Sequence, residues 1–282
     1  MMRLKETLKK QLEEELPKNL LPLLPSRFPI IGYAALIRLK EALYPYGGLI
    51  GDTLVEVSEQ IESVWTFTGR TKGKRRIPQI KWLAGKKNPE VLHKEYNTLF
   101  TLDVSRLTFS PGNTGERGQI IRMVEDDQTL VDLFACCGNL TLPAAVNNSI
   151  STIWMMEINP LAYHYLLENI YLNDLVNKAI PLFGDNHNFP VENIGDHVFL
   201  GILPQPDLKQ LEIGINALKK QGGWLHYHTS VEKEAKEREN LTRDITEKVK
   251  QLGKEVIETT FDVVKGLSAQ FDHVVLRMFV VD

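Results

Sequence analysis

The chain has 282 residues, 43% hydrophobic and 24% charged, with a formal net charge of −3. No apolar run approaches the ~18 residues of a membrane span, Met1 to Lys18 lacks the apolar h-region of a signal peptide, and the only cysteines, Cys136 and Cys137, are neighbours. Composition thus argues against a membrane protein, an exported protein and a disulfide-built scaffold, and a reducing cytoplasm is the expected home.

Residues 1–18 mix Lys and Glu at helical spacing and predict an exposed or loosely docked amphipathic helix. Leu20 to Pro29 is a Pro-rich connector. Gly32 to Leu39 predicts a strand, and apolar residues at 50, 54, 57 and 61 predict a helix. Ser63 to Thr68 and Ile77 to Leu83 predict strands on either side of a basic run. That run, Gly69 to Lys87, carries Arg70, Lys72, Lys74, Arg75, Arg76, Lys81, Lys86 and Lys87 and no acid. Tyr96 to Val104 predicts one more strand. These pieces make a small α+β domain, residues 1–104.

From residue 105 the pattern changes. A short helix over 117–125 precedes strand 129–135, helix 138–147, strand 151–157, helix 160–173 and strand 179–183. Strand 197–202, helix 207–220, strand 223–228, helix 231–252, and strands 255–264 and 272–281 follow. Strands separated by helices imply right-handed crossovers and a mostly parallel sheet. The last two strands leave no room for a helix between them, so they form an antiparallel hairpin. The expected fold class is α/β: a Rossmann-like domain over 105–282 with a seven-stranded, mostly parallel sheet ending in that hairpin. This is the layout of the class I S-adenosylmethionine-dependent transferases. Dinucleotide-binding domains carry G-x-G-x-x-G, and the loop Ala135-Cys136-Cys137-Gly138 is too poor in glycine for that role.

The candidate site follows from strand ends, because ligands of α/β sheets bind outside the carboxyl ends of the strands. Asp132, Glu157 and Asp185-Asn186 end or follow three successive strands. Helix capping explains single acids of this kind; three in succession favour a nucleoside pocket. Gly138 opens a helix whose first amides face a ligand. Glu157 suits a ribose diol, and Asp185 and Asn186 the adenine edge. Asp132 suits either the methionine part or the ordering of its own loop. Ser110-Pro111-Gly112-Asn113-Thr114-Gly115-Glu116-Arg117 is either a turn with a helix cap or a carboxylate-binding motif, in which Ser110 and the Arg117 guanidinium hold the amino-acid end of the cofactor. Gly201 to Pro204 is either a plain turn or a loop facing the substrate. His226 and His228 are expected on opposite faces of their strand, which argues against a shared metal, and without Cys or further His at ligand spacing no metal site is expected. His273 is expected to be structural. The basic run is either a solvated face or, with Trp82 and the flanking Trp65 and Phe67, an RNA backbone contact with an aromatic platform.

Several stretches together resemble the tRNA wybutosine-synthesizing protein 2 family, relatives of the tRNA (guanine-N1)-methyltransferases. They are His93 to Tyr96, Phe100 to Val104, Ser110 to Asn113 with Glu116-Arg117, Asp132-Leu133-Phe134-Ala135, and Glu157 to Pro160. Glu168 to Ile170 with Leu172-Asn173, Gly184 to Asn186, Leu200 to Pro204 and His226 to His228 complete the set. The resemblance implies a transferase that moves the 3-amino-3-carboxypropyl group of S-adenosylmethionine to C7 of 4-demethylwyosine in phenylalanine tRNA. It puts Ser110, Arg117, Glu157, Asp185 and Asn186 on cofactor-binding positions, with Asp132, Phe134, Ala135 and Gly138 in the cofactor loop. Asn113, Gly201, Pro204 and the basic residues Arg70, Lys74, Arg75 and Arg76 are expected to face the RNA substrate. The sibling methyltransferases typically have Arg after Ser-Pro and Asn-Leu-Pro after the fourth strand, where this chain has Gly112-Asn113 and Gly201 to Pro204. Methyl transfer to guanosine and an inactive tRNA-binding relative are the alternatives. Two departures stand out. Cys136 replaces the first glycine of the family's Phe-Ala-Gly-x-Gly, where a Cβ is expected to crowd the cofactor or change the turn. Lys265 to Ala269 replaces Lys-x-Tyr-Ala-Pro. His226 or His228 is a candidate acceptor for the C7 proton.

Overall fold

The computed structural model describes residues 4–282, so the first three residues of the helix expected over 1–18 lie outside the described residues. The chain divides into two compact units: residues up to Lys94 with Leu99–Pro111, and Glu95–Thr98 with Gly112–Asp282. The first unit therefore runs a little beyond the expected boundary at residue 104, and four residues within it group with the second.

In the first unit, helix α1 (Leu4–Gln11) precedes a short antiparallel pair, β1 (Ile30–Ile31) and β2 (Ala34–Ile37). Gly32 makes their turn at φ 58°, and a Cβ there would meet the Leu92 carbonyl at 2.6 Å. Helix α2 (Gly47–Val57) crosses over to β3 (Ser63–Phe67), parallel to β2, and β4 (Ile80–Gly85) returns antiparallel. The predicted apolar stripe buries Ile50 and Leu54 among Leu8, Leu12, Val64 and Ala84. Ile61 is also buried, but beyond the end of α2, which stops at Val57. Gly51 lets α2 lie close on the sheet, since a Cβ there would meet Ala84 Cβ at 2.7 Å.

Strands β5 (Glu90–Glu95) and β6 (Thr98–Asp103) form a separate two-stranded sheet. β5 is absent from the expectations because half of it is charged, with Val91 its only fully buried side chain. Its two-residue turn, Tyr96-Asn97, has both residues at positive φ, the geometry that suits the twist of a tight hairpin.

The second unit begins with α3 (Thr114–Met123), then β7 (Thr129–Asp132), α4 (Leu142–Asn147), β8 (Thr152–Glu157), α5 (Pro160–Leu172) and β9 (Ala179–Phe183). It continues with β10 (His197–Leu200), α6 (Leu208–Ala217), β11 (Gly223–Glu232), α7 (Ala235–Gln251), β12 (Glu255–Gly266) and β13 (Phe271–Val281). The sheet order is β12-β13-β11-β10-β7-β8-β9. β13 inserts between β11 and β12 and is antiparallel to both, as the expected terminal hairpin requires. The chain winds one way from β7 through β9 and the other way from β10 to β11, so the switch point lies between β7 and β10. One face of the sheet packs Val131, Val198, Leu225, Leu276 and Met278 against α6 and α7 residues such as Leu211, Ile245 and Val249.

Two differences from the sequence expectation shape the site. β7 stops at Asp132, not at 135, and α4 starts at Leu142, not at 138. The intervening loop is held by side-chain bonds that hydrophobic periodicity does not register.

Candidate functional site

Asp132, at the end of β7, is 1% exposed. One oxygen accepts from the Phe134 amide at 3.0 Å and the other from Thr141 Oγ1 at 2.7 Å. Desolvation pushes its carboxyl up to about 6, against those two hydrogen bonds. Of its two expected roles, the bonds it makes are those of loop ordering.

The loop then passes through Phe134, half-buried against the core, and Ala135, whose amide bonds Met156 O at 3.0 Å. Cys136 sits at φ 51° and its amide donates to Glu157 Oε2 at 2.7 Å. The turn wanted at this position is thus kept with a left-handed non-glycine residue. Gly138 follows at φ 84°, where a Cβ would come within 2.2 Å of Leu142 Cδ1. Glu157, at the end of β8, also accepts from the Asn159 amide at 2.6 Å. Burial raises its carboxyl above the ordinary value against these amide bonds. An ionised carboxylate has about four lone-pair directions, so acceptor capacity remains for a diol.

After β9, Asp185 caps a short 3-10 turn by accepting from the His187 amide at 3.1 Å. Asn186 is buried, donates to Leu133 O at 2.6 Å and accepts from Gln210 Nε2 at 2.9 Å. It ties the segment after β9 to the ends of β7 and α6. After β10, Gly201 is exposed, and a Cβ there would lie 3.1 Å from Leu140 Cδ2. Pro204 O accepts from the Ser230 amide at 2.7 Å and Thr229 Oγ1 at 2.9 Å, which pins this loop to the far end of β11.

Arg117 requires a correction. Its guanidinium is fully buried and forked onto Glu95, with Nε–Oε1 2.7 Å and Nη2–Oε2 2.8 Å, while Nη1 donates to Asn139 O at 3.2 Å. The bidentate edge expected to hold a cofactor carboxylate is occupied by a carboxylate of the protein itself. The cation beside Asn113 is Lys265, whose Nζ donates to Asn113 Oδ1 at 2.8 Å. Burial, with Arg117 nearby, lowers its ammonium to about 8. Gly112 lies beneath the same chain: a Cβ there would meet Lys265 Cδ at 2.8 Å. Ser110 belongs to the first unit.

The histidines also differ from expectation. Residues two apart on a strand share a face, so His226 and His228 point the same way and not apart. Each nevertheless has its own partner. His226 Nε2 lies 2.9 Å from His197 Nδ1 and its ring stacks on Phe199 at 4.2 Å; His228 Nδ1 lies 3.1 Å from His273 Nε2. Both are buried, and desolvation lowers both well below the ordinary imidazole value. Neither is placed to take a proton from a bulky base. Glu116 beside them is buried and bonded through both oxygens to Arg277 Nη2 at 2.6 Å. Among the described residues, no group of three or more His, Cys, Asp or Glu is arranged to hold a metal ion.

In the first unit, Arg70, Lys74, Arg75 and Arg76 are exposed on the loop between β3 and β4, which closes through a Lys72–Ile77 bridge. The aromatic platform needs a correction. Trp65 is buried with Nε1 bonded to Ser63 Oγ at 2.6 Å, and the Phe67 ring carries Arg38 at 4.2 Å. Trp82 remains half-buried, with the Lys87 ammonium 5.5 Å from its ring.

A doubly wound sheet with a terminal antiparallel hairpin, and a half-buried acid at the end of its second strand bonded to the loop after its first, define a class I S-adenosylmethionine-dependent transferase. Residues 91–258 match the TRM5/TYW2 methyltransferase domain, and residues 8–88 match the TYW2 N-terminal domain. The chain belongs to the TRM5/TYW2 family. It is 33% identical over 238 residues to the tRNA(Phe) (4-demethylwyosine(37)-C(7)) aminocarboxypropyltransferase of Pyrococcus horikoshii, covering 84% of this chain and 83% of that one. It is 32% identical over 212 residues to the tRNA (guanine(37)-N(1))-methyltransferase Trm5b of Pyrococcus abyssi, covering 75% of this chain and 62% of that one. The crystal structure of P. horikoshii TYW2 in complex with MeSAdo superposes with TM-score 0.81 at 29% identity, covering 98% of this chain and 99% of that one. Among the described residues, no helix is long and apolar enough to cross a membrane.

Proposed function

We propose that this chain transfers the 3-amino-3-carboxypropyl group of S-adenosylmethionine to C7 of 4-demethylwyosine at position 37 of phenylalanine tRNA, in the cytoplasm. The observation that carries this reading over methyl transfer is Gly112. Where the siblings carry an Arg, the bare Gly112 leaves room for the Lys265 chain, 2.8 Å from the position of a Cβ and bonded to Asn113. The match of residues 8–88 to the TYW2 N-terminal domain points the same way.

The crevice residues fit the cofactor. Glu157 retains acceptor capacity for a ribose diol, Gly138 keeps the loop free of a Cβ where the chain turns, and Asp185 and Asn186 follow the next strand. When bound, the sulfonium makes the carbons attached to it electrophilic; which of them reacts is a matter of placement, because near-attack geometry needs about 3–3.5 Å. Here the residues' work is placement. Glu157 and the Cys136 amide hold the ribose side, and Asn186 fixes the adenine-side segment to Leu133 O. Lys265, not Arg117, is the cation beside Asn113 that an amino-acid carboxylate would meet. Arg117 and Glu95 set the position of Asn139 and the loop that bears it. The exposed cations Arg70, Lys74, Arg75 and Arg76 neutralise RNA phosphates, which would supply most of the sequence-independent affinity.

The test is a turnover assay with phenylalanine tRNA bearing 4-demethylwyosine and S-adenosylmethionine labelled in the carboxyl carbon. Carboxyl label entering the RNA with release of 5′-methylthioadenosine is the expected result. S-adenosylhomocysteine with a methyl gain on guanosine would instead establish the sibling activity, which the similarity to Trm5b favours. RNA binding without cofactor binding would leave a binding-only relative.

A further inference from the structure

The segment after β9 reaches farther than its own strand. In the sheet order β10-β7-β8-β9, β9 stands three places from β10, yet the residues that follow β9 are bonded to the head of α6, which follows β10. His187 makes that span. Its Nδ1 is 2.5 Å from Asp185 Oδ1 and its Nε2 is 2.8 Å from Asp207 Oδ2. Asp207 is the N-cap of α6, in a capping box in which its Oδ1 accepts from the Gln210 amide at 2.9 Å and Gln210 Oε1 accepts from the Asp207 amide at 2.9 Å. Gln210 Nε2 then reaches Asn186, and Asn186 reaches Leu133 O beside the cofactor loop.

Only an imidazole protonated on both nitrogens can donate to two carboxylates at once. Asp185 and Asp207 are the charged groups that face it. The hydrogen bond to Asp185 raises its titration above the ordinary value, against desolvation, and the bond to Asp207 adds to the rise.

We propose that His187 is a positioning residue for cofactor binding: clamped between Asp185 and Asp207, it straps segment 184–189 across the strand ends to the head of α6 and so sets the width of the crevice. This deepens the cofactor reading above and rests on it. The sign of the pH effect follows. A raised imidazole titration means that the strap is complete below about 6.5 and is lost as pH rises through the raised value.

The experiment uses the full chain as wild type, His187→Phe and His187→Arg. S-adenosylmethionine is titrated calorimetrically from pH 6 to pH 8.5, KM and kcat are measured, and amide hydrogen exchange is followed without cofactor. His187→Phe is expected to raise Kd and KM on the order of tenfold, as expected for lost charge-assisted bonds at a partly exposed site, with kcat at saturation changed by less than about twofold. Wild-type affinity should fall with rising pH. His187→Arg, whose guanidinium stays charged, should keep its affinity across the range. Wild-type values in His187→Phe, or a loss carried equally by kcat, would overturn the proposal. If the wild type fails to bind S-adenosylmethionine at all, the cofactor reading falls. The strap is then judged by exchange alone: faster exchange at 184–189 in His187→Phe supports it, and unchanged exchange refutes it.

Discussion

Replacing Arg117 separates two roles that the sequence runs together. If its guanidinium bound the cofactor, Arg117→Ala would cost affinity and leave stability intact. The structure leads to the opposite expectation. Arg117 is fully buried and makes two short bonds to Glu95 and one to Asn139 O, while the Glu95 side chain is 13% exposed. Deleting one partner of a buried pair strands the other and costs about 3–5 kcal/mol. The slight exposure of Glu95 puts the figure near the lower end, about 3 kcal/mol. For a protein of this size that lowers Tm by roughly 6–12 °C. Differential scanning fluorimetry and calorimetric titration of S-adenosylmethionine would be run on Arg117→Ala, Glu95→Ala and Glu95→Leu/Arg117→Met. Both single variants should lose stability, and the apolar pair should recover much of it, because burying two apolar chains avoids the desolvation of two charges. Arg117→Ala with wild-type Tm and a large loss of affinity would refute the reasoning and return Arg117 to the cofactor.

Gly138→Ala places a Cβ at φ 84° within 2.2 Å of Leu142 Cδ1; a loss of about 1–3 kcal/mol in stability is expected, with cofactor binding abolished, as read by Tm and calorimetry. Asp132 is expected to show itself in the pH dependence of stability. Its carboxyl titrates at about 6 in the folded protein, above the ~3.9 of an unfolded chain, so protonation favours the fold. The Tm of wild type relative to Asp132→Asn should fall between about pH 4 and pH 6 and level off above that; a flat difference across that window would remove the assignment. Converting Arg70, Lys74, Arg75 and Arg76 to Ala should weaken tRNA binding and reduce the slope of log K against log salt by about one for each phosphate no longer neutralised, measured by filter binding at several salt concentrations.

The strand-end acids are legible in the sequence because an apolar run that stops on a carboxylate or within two residues of one, three times in succession, is a local pattern. Glu157 needs only its own strand to be placed at a strand end. The partners that decide what such residues do are not local. Arg117 looks like a ligand-binding guanidinium until Glu95, 22 residues away, turns back from a hairpin too charged to register as a strand. Glu116 is joined to Arg277 across 161 positions, and no spacing rule reaches that far. Hydrophobicity continues through the loop over 133–141, so periodicity extends strand and helix into it; Asp132, through Phe134 and Thr141, stops both. The basic run is legible as charge, but the side a tryptophan faces is not. Trp65 is buried on a strand that pairs on both edges, with β2 on one and β4 on the other, and neither partner is visible from its own neighbours in sequence.

Cys136 shows why a departure from a family's motif need not disable the site it sits in. A glycine is favoured there because the backbone turns left-handed, and for another residue that conformation costs of order 1–3 kcal/mol. The turn survives because the peptide that bears the strain also makes the loop's charge-assisted bond, 2.7 Å from the Cys136 amide to Glu157 Oε2. On either side Ala135 is stitched to Met156 O and Cys137 O accepts from Asn169 Nδ2 at 2.9 Å. The fixed points are thus backbone groups, indifferent to the side chain at 136, whereas Gly138 two residues on has a leucine packed where its Cβ would be. Of the two glycine positions in this loop, only the second is sterically closed to substitution.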